Sequence, residues 1–106
     1  MSAKTAYGLH AEILKALAHP LRIEVIDLLQ DEELCFSNIL EKTGGLKSNL
    51  SQHLTMMVSN GILKVRKDSR CNYYSLRSPK VARACQLIRE VLTENIKRQN
   101  KVLALQ

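Results

Sequence analysis

GGLKSNLSQHLTMMVSNGILKVRKDSRCNYYSL, residues 44–76, changes its hydrophobic period partway along. In its first half Leu46, Leu50, Leu54, Met57 and Val58 fall where a turn of about 100° per residue gathers them on one side, so this half reads as an amphipathic helix with that side inward. Ser48, Gln52, Thr55 and Ser59, flanked by Asn49 and Met56, then form an outer face that is polar but almost uncharged. Asn60-Gly61 stops the helix. Beyond it ILKVRK and CNYYSLR alternate as short strands around an Asp68-Ser69-Arg70 turn. Leu63, Val65, Tyr74 and Leu76 share the inward face of that hairpin, and Lys64, Arg66, Lys67 and Arg70 gather on and beside its tip.

Upstream, Tyr7, His10, Ile13, Leu14 and Leu17 recur at helical spacing, which predicts a helix from about Ala3 to Ala18. His19-Pro20 ends it, with His19 as a capping residue. Pro20 opens a second helix, since its missing N–H costs nothing in a first turn, and Leu21, Val25, Leu28 and Leu29 are its buried face. An acidic connection, Asp31-Glu32-Glu33, leads to a third helix near Phe36 to Lys42 with Phe36, Ile39 and Leu40 inward, closed by Thr43-Gly44-Gly45. Downstream, Pro79 opens a helix that runs nearly to the end of the chain, its apolar stripe passing through Val81, Cys85, Ile88, Leu92, Ile96 and Leu103. That stripe is longer than one small core needs. Its surplus predicts a homodimer paired through the first and last helices, residues 1–18 and 79–106.

The 106 residues fit one domain, and Lys and Arg outnumber Asp and Glu by 16 to 10, a net charge of +6 that suits an anionic partner. No uncharged run approaches the roughly 20 residues that span a bilayer, and the N-terminal stretch lacks the apolar core of a secretory signal, so a cytoplasmic protein is expected. In that reducing setting the odd set Cys35, Cys71 and Cys85 is not a disulfide framework, and there is no CxxC pair for zinc. No Cys/His pair has a catalytic spacing and no Gly-rich loop cradles phosphate, so an enzyme is not expected.

The predicted order is four helices, two strands and a last helix: a mainly α fold with a small hairpin. A helix, a Gly-containing turn, a second helix and a hairpin make a winged helix-turn-helix, here residues 36–60 with the wing at 62–77. The chemistry fits DNA. A helix enters the major groove, where Asn and Gln amides pair with adenine and Ser or Thr reach other base edges, while lysines and arginines hold the phosphates. The same charge without operator specificity would serve a constitutive module on the nucleoid or on RNA, with no small-molecule sensing.

Residues 9 to 92 resemble the ArsR/SmtB family of bacterial winged-helix repressors. The resemblance is carried by LKALAHPLRIEVIDLL (14–29), ELCFSNIL (33–40) and SNLSQHLTMMVSNGILKVRKDSRCNYYSL (48–76). Within these stand Ala18, Pro20 and Arg22; Ser51, His53 and Leu54; and Gly61, Ile62, Arg70, Tyr73 and Tyr74. It implies a homodimer that binds an inverted-repeat DNA operator and leaves it when an inducer binds. It implies, too, that Lys47, Ser48, Asn49, Ser51, Gln52 and His53 lie at the recognition helix and Lys67 and Arg70 on the wing. His53, at the edge of the apolar face, also reads as a residue that supports the helix.

The chain departs from the family at Gly45-Leu46-Lys47-Ser48, where the usual capping Ser is missing and Lys47 replaces a common Gln; Leu46 keeps the register of Leu50. The family's arsenic- and cadmium-type site has Cys-x-Cys at the start of the third helix, whereas this chain has Cys35-Phe36-Ser37, with Leu40 in the third place. One thiolate does not hold a soft metal by itself. The zinc-type site would fall at Ser78, Lys80, Val91 and Glu94, of which only Glu94 is a ligand. No metal site is therefore assigned and no cofactor is required. Cys35, Cys71 and Cys85 are the candidate inducer-sensing thiols, through a thiolate-bound metal or metalloid ion or through redox and sulfur chemistry. Cys35 leads, because a helix N-terminus lowers a thiol pKa; Cys71 should point away from the core beside the wing, and Cys85 reads equally as a core or interface residue.

Overall fold

In the computed structural model, which describes the backbone of residues 3–104 and the side chains of residues 5–100, the elements are α1 (Ala3–Leu17), α2 (Pro20–Leu28), β1 (Leu34–Cys35), α3 (Phe36–Thr43), α4 (Lys47–Ser59), β2 (Leu63–Lys67), β3 (Asn72–Leu76) and α5 (Pro79–Ala104). The five helices and the hairpin follow the expected order. A third strand is added: β1 pairs antiparallel with the outer side of β3, Leu34 opposite Tyr74 and Cys35 opposite Tyr73, giving the strand order β1-β3-β2. Two residues are too few to show an alternation, so this strand has no signature in the sequence.

Each helix end has a local cause. His19 is the N-cap of α2, its Nδ1 accepting the Leu21 N–H at 3.1 Å, with Pro20 in the first turn. Helix α3 stops at Gly44, whose φ of 67° lies in the left-handed region and whose N–H returns to Leu40 O at 2.9 Å. Helix α4 stops at Gly61, φ 76°, where the N–H groups of Gly61 and Ile62 bond back to Val58 O and Met57 O, the paired closure of a Schellman motif. Ile62 is thereby swung into the core and β2 starts in register.

The core is built mainly by α2, α3, α4 and the sheet: Val25, Ile26, Leu29, Ile39, Leu50, Leu54, Met57, Ile62 and Leu63 are all about fully buried, with Ala16 and Tyr74 at its margin. Leu63 and Tyr74 are buried and Val65 and Leu76 half-buried, as the alternation requires. Two expectations need correction. In α2 the innermost pair is Val25 and Ile26, while Leu21 and Leu28 are only half-buried, because α2 is enclosed by α3, α4 and α5 at once rather than along one stripe. Leu46 is 75% exposed: it is the N-cap of α4, with extended φ and ψ, so the helical register that would carry it inward begins one residue later.

Helix α5 spans about 39 Å at 1.5 Å per residue. Only its first turns meet the core, through half-buried Val81, Ala82 and Cys85. Beyond them Leu87, Ile88, Val91, Leu92 and Ile96 are exposed, as are Tyr7, Leu9, Ile13 and Leu14 of α1. Leu103, the last residue of the expected stripe, lies outside the described side chains. No helix among the described residues is long and apolar enough to cross a membrane.

Candidate nucleic-acid interface

Helix α4 presents Lys47, Ser48, Asn49, Ser51, Gln52, Thr55 and Met56 to the outside while Leu50, Leu54 and Met57 fix it to the core. Among the described residues, Ser48, Asn49, Ser51 and Gln52 have no side-chain hydrogen bond within the chain, so their donors and acceptors are free for a ligand. Three of the four positions directly preceding the first buried leucine are Lys47, Ser48 and Asn49, and they crowd the N-terminal end of the helix, where the backbone N–H groups also point outward.

His53 differs from the other expected contact residues. It is half-buried, and its Nδ1 accepts the Nε–H of Arg22 at 2.9 Å, while Arg22 Nη1 donates to Ala16 O at 3.3 Å. The His53 ring lies against His19, centroids 4.2 Å apart. Burial, then the charges of His19 and Arg22, hold its pKa below the ordinary histidine value. His53 thus joins α4 to α2 and to the end of α1, the supporting role that its place at the edge of the apolar face suggests.

The wing divides its cations between two tasks. Arg66 is engaged: its Nε and Nη2 hold the Glu33 carboxylate at 3.2 and 2.7 Å, and its guanidinium lies 4.4 Å from the centre of the Tyr73 ring. The hydrogen bond from Arg66 keeps the Glu33 carboxyl below the usual carboxylate range. This clamp ties β2 to the connection between α2 and β1, and nothing in the pattern of residues 30–36 revealed it. Lys64, Lys67 and Arg70 are exposed and in no ion pair among the described residues. The turn between the strands is closed by Asp68 N–H to Cys71 O at 3.0 Å.

The thiols do not form one cluster. Cys35 is the N-cap residue of α3, its Sγ 3.2 Å from Ser37 Oγ. That hydroxyl and then the backbone N–H of Asn38 lower its pKa most; burial opposes them, and the Cys71 thiol adds a lesser lowering. Cys71 lies beside it, both lining a shallow groove with Ser37, Asp68, Arg70 and Asn72. Cys85 is elsewhere, half-buried in α5 against the core, where burial raises its pKa. No three His, Cys, Asp or Glu side chains converge as metal ligands among the described residues.

Comparison with known proteins agrees with this arrangement. The profile of the bacterial regulatory protein, arsR family, matches residues 19–65. The HTH-type transcriptional regulator Rv0081 of Mycobacterium tuberculosis is 36% identical over 93 residues, 87% of this chain and 82% of that protein. Its crystal structure superposes with a TM-score of 0.80 at 33% identity, covering 89% of this chain and 95% of that one. The homodimeric winged helix-turn-helix DNA-binding domain Mb0332 of Mycobacterium bovis gives a TM-score of 0.79 at 28% identity, over 92% and 93% of the two chains. The arsenical resistance operon repressor of Staphylococcus aureus is 38% identical over 64 residues, 60% of this chain and 62% of that protein.

Proposed function

The chain belongs to the bacterial ArsR family of helix-turn-helix transcriptional regulators, and from that premise we propose that it is a homodimeric repressor that binds an inverted-repeat operator through two copies of α4. The observation that carries this reading is the composition of the outer face of α4: free, uncharged donors and acceptors at Ser48, Asn49, Ser51 and Gln52, beside a wing whose cations Lys67 and Arg70 are unpaired. Neutral amides and hydroxyls discriminate base edges; unpaired cations grip phosphates of any sequence. Lys47, at the N-terminal end of α4, adds a further phosphate contact, and His53 sets the pitch of the helix rather than touching bases.

Two protomers place the two helices in successive major grooves only if they are joined, and the exposed apolar faces of α1 and α5 provide the joint. The homodimeric mycobacterial neighbour supports this assembly. Release from DNA is assigned to thiol chemistry, with Cys35 as the responsive group, since it combines access with a lowered pKa. Working on DNA in a bacterium, the protein acts in the cytoplasm.

The test is a mobility-shift titration of the reduced protein on the duplex upstream of its own gene and on a scrambled duplex of equal composition, at matched salt. Preference for its own promoter by about a thousandfold is expected; equal affinity for the two contradicts the reading.

A further inference from the structure

Cys35 and Cys71 are far apart in sequence yet share one side of the sheet. Residues directly opposite in an antiparallel ladder lie on the same face. Cys35 stands opposite Tyr73, and Cys71, two residues before Tyr73, has the same parity. Both residues line the one groove beneath the wing turn, together with Ser37, Asp68 and Arg70. Cys71 precedes the regular part of β3, and the turn it belongs to is exposed and closed by the single backbone bond from Asp68. The wing turn is therefore the part that can move; Cys35 is anchored at the junction of β1 and α3.

On this geometry we propose that Cys35 and Cys71 are a dithiol site for hydroperoxides, oxidised to a disulfide that draws the wing turn toward α3 and loosens the grip on DNA. This rests on the repressor reading above and specifies its sensing step. The Cys35 thiolate attacks one peroxide oxygen, the O–O bond breaks, and the departing oxide takes a proton to leave as water or alcohol. The resulting sulfenic acid is attacked by the Cys71 thiol; the S–S bond forms, the S–O bond breaks, and the hydroxyl leaves as water with the thiol's proton. Two electrons pass from the thiol pair to the peroxide. Cys35 is the attacking sulfur because Ser37 and the Asn38 N–H stabilise its thiolate. Arg70 is next in sequence to Cys71 and lines the same groove, so a bridge to Cys35 redirects a cation assigned to phosphate. Two thiols with no third ligand among the described residues suit a disulfide better than a trigonal thiolate complex.

The full-length protein, reduced and then freed of reductant, is treated with stoichiometric hydrogen peroxide and mapped by non-reducing peptide mass spectrometry. Wild type and Cys85→Ser should both yield an intramolecular Cys35–Cys71 bond that dithiothreitol reverses. Cys71→Ser should stop at a sulfenic acid on Cys35 that dimedone traps, and Cys35→Ser should form no internal bond. In a parallel titration the oxidised wild type should bind its promoter duplex about tenfold more weakly, as expected when phosphate contacts are lost, while peroxide leaves the affinity of Cys35→Ser unchanged. Bonding of Cys35 to Cys85, bonds only between protomers, a first sulfenic acid on Cys71, or a bond without loss of affinity would each overturn the proposal. Failure of the reduced protein to prefer its promoter is a different result: it defeats the repressor reading, and the disulfide map, which needs no DNA, still judges the thiol pair.

Discussion

Arg22 donates its Nε–H to Nδ1 of His53 at 2.9 Å, so a residue in the first turn of α2 holds the middle of α4 in place. An accepting Nδ1 requires a neutral imidazole with its proton on Nε2. The orientation of the face that carries Asn49 and Gln52 therefore depends on a histidine that must stay uncharged next to a guanidinium.

Acid should weaken this joint. The folded pKa of His53 lies below its ordinary value of 6.5, so in acid the unfolded chain takes up the proton first. The contribution to stability is present above pH 6.5 and is lost as the pH falls through the folded value. Thermal melting at about pH 8 and about pH 5 should show a lower Tm in acid, and His53→Gln, which keeps an acceptor but cannot titrate, should shrink the difference. An unchanged difference in His53→Gln would assign the acid sensitivity to other groups.

The division of labour between helix and wing is tested by two variants. Gln52→Ala should weaken promoter binding by roughly 1–3 kcal/mol and leave random DNA nearly unaffected. Arg70→Ala should weaken both duplexes alike and reduce the salt slope by about one. Fluorescence anisotropy over a salt series measures both, and equal losses on both duplexes for Gln52→Ala would remove α4 from base recognition.

The Arg66 clamp on Glu33 is a structural contact, not a free cation. Arg66→Gln should therefore speed amide exchange at Leu34, Cys35 and Tyr73, where β1 meets β3, more than it lowers affinity for random DNA. Hydrogen exchange by mass spectrometry reads the first, anisotropy the second. A large loss of nonspecific affinity with unchanged exchange would instead make Arg66 a phosphate contact.

In the proposed dimer, pairing depends on α5. Ile88 is 70% and Leu92 56% exposed in the single chain, and Ile88→Glu with Leu92→Glu should give a folded monomer by sedimentation, with promoter affinity reduced by about a thousandfold toward the nonspecific level. A double variant that remains dimeric would move the interface elsewhere. Leu54→Ala serves as the contrast: it should cost about 2–5 kcal/mol of stability, because it opens a cavity in the core rather than uncovering an interface.

Much of the fold was legible because its signals are periodic or punctual. The spacing of Leu50, Leu54 and Met57 located α4 and its inner face; glycines at 44 and 61 marked real helix ends; the alternation of Leu63, Val65, Tyr74 and Leu76 oriented the hairpin. His19 as a cap was readable from Pro20 beside it. What stayed hidden was tertiary. Strand β1 has only two residues, Ile26 is buried in a helix enclosed by α3, α4 and α5 rather than by its place in a stripe, and Leu46 sits just outside the helix that would have turned it inward. The pairings Arg22–His53, Glu33–Arg66 and Cys35 with Cys71 each join residues more than thirty positions apart, and no local pattern announces them. The candidate DNA-contacting residues were identified by family resemblance together with side-chain chemistry; the thiols could be named from the sequence, but their grouping could not.

The central claim is that two joined copies of α4 read a divided site. Hydroxyl-radical footprinting of the reduced protein on the DNA upstream of its gene tests it most directly. Two protected half-sites on one face of the duplex, centred about one helical turn apart and related by an inverted repeat, are predicted. A single protected half-site, or even protection that ignores sequence, would contradict it.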